Sequence, residues 1–107
     1  MLIVTSKFIR PSTDVEFFTD EAFNTYRNAN YVETGKLTTE SDSLSSDGLI
    51  RTVVNNWTTR ADFIAFKQDQ TAINYLESRR QYSATNNIVH SHEFEFVVSE
   101  GDPAPSV

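Results

Sequence analysis

Cysteine is absent from this 107-residue chain. That excludes disulfides, thiolate zinc sites, iron–sulfur clusters and a cysteine nucleophile together. Glycine is scarce too, with three residues, so no glycine-rich loop exists to cradle a phosphate. No nucleophile elbow or serine-triad pattern appears. Bases are outnumbered, nine against fifteen acids, which leaves a net charge of −6. Nucleic-acid binding needs a basic face that displaces counterions from phosphates, and an anionic membrane surface selects for the same feature, so neither partner is expected. Arg79-Arg80 is the sole adjacent basic pair and reads as a solvated helix face. No apolar run has the length of a membrane span. The start, MLIVTSKFIR, lacks the basic segment and small-residue cleavage site of a signal peptide, so a cytoplasmic location is the expectation.

What is present is aromatic. Eight phenylalanines, four tyrosines and one tryptophan are enough bulk for one real core, and the length suits one domain. Residues 1–98 are expected to form it, with 99–107 a C-terminal tail. Leu2 to Ile9 is rich in β-branched residues and reads as a strand ending before Pro11. Thr19 offers a helix cap, and Ala22, Phe23, Tyr26 and Ala29 follow at helical spacing, so a helix is expected over about 20–34 with Gly35 as its stop. Lys36 to Ser41 is a polar strand, and Asp47-Gly48 favours a hairpin into a third strand, Leu49 to Trp57. Thr58 and Thr59 can cap a second helix from Arg60, with Phe63/Phe66 and Ile73/Leu76 as its inward stripe and a kink near Asp69. Ile88 to Val98 alternates and reads as the fourth strand.

The order β-α-β-β-α-β implies an α+β, ferredoxin-like fold: a four-stranded antiparallel sheet with two helices on one face. Two helices cannot cover both faces. Leu2/Val4/Phe8 and Ile3/Ile9 on the first strand, and Leu49/Val53/Trp57 and Ile50/Val54 on the third, put apolar side chains on both. The expected partner for the helix-free face is a second copy of the chain, in a homodimer burying about 1,200 Å² or more.

With that element order, a strand ending in Trp57 and the segment TTRADFIAFKQD directly after it, the chain resembles the dimeric α+β barrel superfamily, of the antibiotic-biosynthesis-monooxygenase type, over about residues 1–98. The resemblance implies two sheets packed face to face in a dimer and ligands held between helices and sheet. The family includes cofactor-free quinol oxygenases, haem-degrading oxygenases and isomerases. Its haem-degrading members combine a first-strand asparagine, a tryptophan and a helical histidine. Here only Trp57 matches that set, so haem degradation is not expected and no cofactor is implied.

His90 and His92 are the only histidines and share one face of the fourth strand with Ile88, Phe94 and Phe96. As a pair they suggest proton transfer or two metal ligands, but that face supplies no third ligand, so no metal is expected. The plainer reading is that they line a mixed pocket or the sheet edge. Glu93 and Glu95, on the other face, fit a solvated edge better than acid–base work. Trp57, with Tyr26, Phe63 and Tyr75, is a candidate for the wall of a flat aromatic pocket, although the plainer reading packs Trp57 as core at the strand–helix corner. Of Asn55 and Asn56, one should face inward, either to hold a ligand oxygen or to satisfy backbone groups where the strand ends.

Three functions stay open, in this order. One is a binding or structural module holding a small apolar ligand. Another is a cofactor-independent monooxygenase or isomerase acting on an aromatic or quinone-like molecule, with catalytic candidates His90, His92, Asn55 and Asn56. The last is a metal-assisted enzyme using the two histidines. A closed gap between helices and sheet would favour the first; a cavity walled by Trp57 and a histidine would favour the second.

Overall fold

Leu2–Ile9 forms β1, in which Leu2, Val4 and Ser6 are buried and the residues between them are more open. A computed structural model describes residues 1–97 of the chain. The other strands are β2 (Leu37–Leu44), β3 (Ile50–Trp57) and β4 (Val89–Phe96). All pair antiparallel in one open sheet of order β2-β3-β1-β4, an arrangement compatible with a ferredoxin-like fold. The helices are α1 (Glu21–Arg27), α2 (Arg60–Gln68) and α3 (Gln70–Thr85). No helix among the described residues is long and apolar enough to cross a membrane.

Register decides which side chains share a face. Leu2 stands between Trp57 and Phe96, Val4 between Asn55 and Phe94, Ser6 between Val53 and His92, and Phe8 between Arg51 and His90. Directly opposed residues of antiparallel strands point the same way. The core unites Leu2, Val4, Leu37 and Trp57 from this face with Phe23, Tyr31, Phe66 and Ala72 from the helical layer, so the helices cover one side of the sheet. The other side carries Ile3, Thr5, Lys7 and Ile9 on β1, Ile50 and Val54 on β3, and Val89, Glu93 and Glu95 on β4. It is a mixed face, with Ile9 39% and Val89 61% exposed.

Several local details differ from the sequence expectation. Asp20, not Thr19, caps α1, its carboxylate accepting from the Phe23 N–H at 3.2 Å. The first helix leaves α-geometry at Asn28 and runs to Val32 as a wider π-helical turn, with Glu33 N–H donating to Asn28 O at 2.8 Å. The extra width brings Tyr31 inward, where it is buried against Trp57 and Phe66.

Thr59 caps α2 as expected, and the kink near Asp69 is a full break. Asp69 ends one helix and caps the next, accepting from Thr71 N–H at 3.0 Å and Ala72 N–H at 3.5 Å. Its other oxygen accepts from the hydroxyls of Tyr26 and Tyr31. The inward stripe of α3 is Ala72, Leu76, Arg79 and Ser83 rather than Ile73/Leu76; Ala72 is fully buried and Ile73 is 37% exposed.

Strand β2 runs to Leu44, past the expected end, and bulges at Glu40. The extra residue reverses the side-chain parity beyond it, so Asp42 faces the helices. β4 begins at Val89, and the expected end of that strand at Val98, like the tail, lies outside the described residues.

Candidate functional site

The helical layer does not close onto the sheet. Between α1, α3 and the sheet lies a cavity of about 310 Å³ at the Phe8 end, walled by Phe17, Phe18, Asp42 and Arg51 among others. A second cavity of about 220 Å³ at the Trp57 end is walled by Phe63, Phe66, Leu76, Lys67 and His92. Both are bounded by Ser6, Phe23, Arg27, Asn55 and Arg79, so they adjoin across the centre of the sheet.

Trp57 and Phe63 stand where a pocket wall was expected. Trp57 is also core: it is 3% exposed and meets Tyr31, Phe63 and Phe66 at ring separations of 5.7, 5.6 and 5.0 Å. A corner position lets one ring do both. Tyr26 and Tyr75 line neither cavity; they pack behind Phe23, whose ring stacks on Tyr75 at 5.1 Å. Asn55 is the inward asparagine, and its Oδ1 accepts from the Thr39 hydroxyl at 2.8 Å. Asn56 belongs to the opposite face, with Oδ1 enclosed and unpartnered.

His92 reaches the smaller cavity, and its Nδ1 shares a hydrogen bond of 2.9 Å with Ser6 Oγ. His90 is packed beside it, ring to ring at 4.1 Å, and stacks on Phe8 at 4.2 Å. Burial is the chief force on both imidazoles, followed by the positive charge of Arg79. Together with His92 and Lys67 it pushes His90 down to about 3, and His92 shifts the same way. Both rings are neutral at pH 7. His90 Nε2 is enclosed without a partner. No group of three or more metal-ligating side chains occurs among the described residues. Glu93 and Glu95 oppose Thr5 and Ile3 on the far face and do not contribute to the gap.

The charged part of the site is what the sequence reading missed. Arg51 is held by Asp42 through two hydrogen bonds of 2.9 and 2.6 Å, the fork-to-fork geometry of a strong pair. Arg27 and Arg79 have no such partner among the described residues. Arg27 Nε is enclosed and unsatisfied, and the Arg79 guanidinium has only the Phe8 ring, 5.2 Å from its centroid. Desolvation, then repulsion from Arg27, Arg51 and Arg80, brings Arg79 down to about 10. Arg79 is therefore no part of a solvated basic face; Arg80 alone is exposed there, paired with Glu77 at 2.6 Å. The available signal was helical spacing. Arg79 follows Leu76 by three, and Arg27 follows Phe23 by four, which places both on inward stripes.

No family model matches this chain, and neither a curated protein nor a solved structure matches it.

Proposed function

We propose that this protein binds a small aromatic molecule in the gap between its helices and its sheet. The observation that carries this is the pair of adjoining cavities, about 310 and 220 Å³, walled by aromatic side chains with a few inward polar groups. Ligand sites are concave, largely apolar and oriented by a small number of polar atoms. Packed cores, by contrast, leave few voids larger than a water molecule.

The gap is open, with Trp57 and a histidine on one wall, which is the arrangement set out above as favouring an enzyme over a purely structural module, so a second reading stands beside simple binding. Trp57, Asn55 and His92 meet on the wall of the smaller cavity, which is part of the constellation expected of a cofactor-independent oxygenase or isomerase; Tyr75, expected with them, packs behind Phe23 instead. A neutral imidazole joined to Ser6 could accept a proton from a phenol-type substrate held there. The resemblance to the dimeric α+β barrel superfamily, and a homodimer formed through the helix-free face, belong with this proposal. The stripe of Ile3, Ile9, Ile50 and Val54 supports the dimer.

One experiment separates the readings. Trp57 is the sole tryptophan and sits in the cavity wall, so its fluorescence reports occupancy. A panel of naphthols and naphthoquinols is titrated while dissolved oxygen is followed. Saturable quenching without oxygen uptake supports the binding module. Quenching with uptake supports the oxygenase. Unchanged emission across the panel overturns the cavity reading.

A further inference from the structure

We infer that the ligand is an aromatic oxyanion, a carboxylate or phosphate carried on a ring system, whose charge is received between Arg27 and Arg79. This rests on the cavity reading above and narrows it.

The argument begins with charge in an unexpected place. The chain carries −6 overall and has six arginines, yet three of them, Arg27, Arg51 and Arg79, line the gap. Lys67 lines the Trp57 end as well. Two carboxylates face them, and both are already engaged: Asp42 holds Arg51, and Asp20 caps α1. Two guanidinium groups remain without a hydrogen-bonded carboxylate among the described residues, at the boundary shared by the two cavities.

Half-buried cations without counter-charges are costly, because desolvation is not repaid by a partner. An acidic chain could have placed a carboxylate nearby at little cost. Arg27 feels the charge of Asp42 from a distance, but that carboxylate is already forked onto Arg51, and the other neighbours of the two arginines, Ser6, Asn55, Phe8 and Phe23, offer no negative charge. A ligand supplying the anion satisfies both guanidinium groups, and forked N–H donors suit planar carboxylate and phosphate oxygens. The aromatic walls at either end, Trp57 with Phe63 and Phe17 with Phe18, then take the apolar body. Arg79 already lies over the Phe8 ring on the wall of the larger cavity.

The test uses three probes of one shape: 2-naphthoate, 2-naphthyl phosphate and the uncharged 2-naphthamide, each titrated against Trp57 fluorescence at two salt concentrations. We expect one or both anions to bind at least about tenfold tighter than the amide, as hydrogen bonds to charged groups require. The double variant Arg27→Gln/Arg79→Gln should bring the anions down to about the affinity of the amide, with a much larger loss for the anions than for the amide. Should that variant fail to fold, Arg79→Lys, which keeps the charge and loses the fork, is expected to weaken anion binding more than amide binding. Equal affinity of all three probes for the unaltered protein overturns the anion inference and leaves the cavity standing. Absence of binding by any of them overturns both. The carboxylate and phosphate arms show which oxyanion is preferred.

Discussion

Replacing Asp69 by alanine removes the joint that holds the helical layer over the cavities. One carboxylate oxygen caps α3 through the N–H groups of Thr71 and Ala72, and the other accepts from the hydroxyls of Tyr26 and Tyr31. Loss of an N-cap carboxylate costs about 1 kcal/mol. Tyr31 is buried, and leaving its hydroxyl without an acceptor costs about 1 kcal/mol more, the lower end of the usual range because the joint is partly open to water. Together these give about 2 kcal/mol, which lowers the Tm of a domain of this size by about 8–16 °C. Thermal unfolding followed by far-ultraviolet circular dichroism at pH 7 measures it. Tyr31→Phe should cost about half as much, and in the double variant the two losses should not add, since they share one hydrogen bond. The pH dependence has a defined sign. Hydrogen bonds from Tyr26 and then Tyr31 hold the Asp69 carboxyl below the usual carboxylate range. Its contribution is full above about pH 4 and is lost as pH falls further, through the folded-state value. A melting temperature for Asp69→Ala within about 2 °C of the unaltered protein would refute the reasoning.

Two other expectations concern the sheet. His90 has an ordinary value of 6.5 when unfolded and about 3 when folded, so the unfolded chain binds more protons between them. Stability should be full above pH 6.5 and fall as pH drops towards 3, and His90→Phe should flatten that fall; identical pH profiles for the two proteins would sink the assignment. For the helix-free face, light scattering at micromolar concentration should give twice the 12.2 kDa chain mass, and Ile50→Lys should halve it. A mass of 12.2 kDa for the unaltered protein removes the assembly reading.

Local pattern made much of the architecture legible. Alternation in Leu2–Ile9 and Val89–Phe96, the Asp47-Gly48 hairpin and the Thr59 cap are each written within a few residues. So are the element order, the facing of His90 and His92 with Phe94, and the bend at Asp69. These follow from sterics and short-range hydrogen bonding, which act between neighbours in the chain. The absence of cysteine and of a phosphate loop likewise excluded whole classes of chemistry without reference to shape.

Other features were decided only when distant segments met. The π-helical turn at Asn28–Val32 forms where Tyr31 can reach both the Trp57 core and Asp69, thirty-eight residues further on. The bulge at Glu40 turns Asp42 towards Arg51, a contact that strand alternation alone would have placed on the opposite face. The charge of the gap is of the same kind. Arg27 and Arg79 belong to different helices, and each is unremarkable in its own segment; only the packing of those helices over β1 and β3 sets two guanidinium groups at one boundary, with no hydrogen-bonded carboxylate among the described residues. Composition and periodicity determined which residues form strands and helices. Desolvation and long-range juxtaposition, which are properties of the assembled fold, determined where the unpaired charge lies.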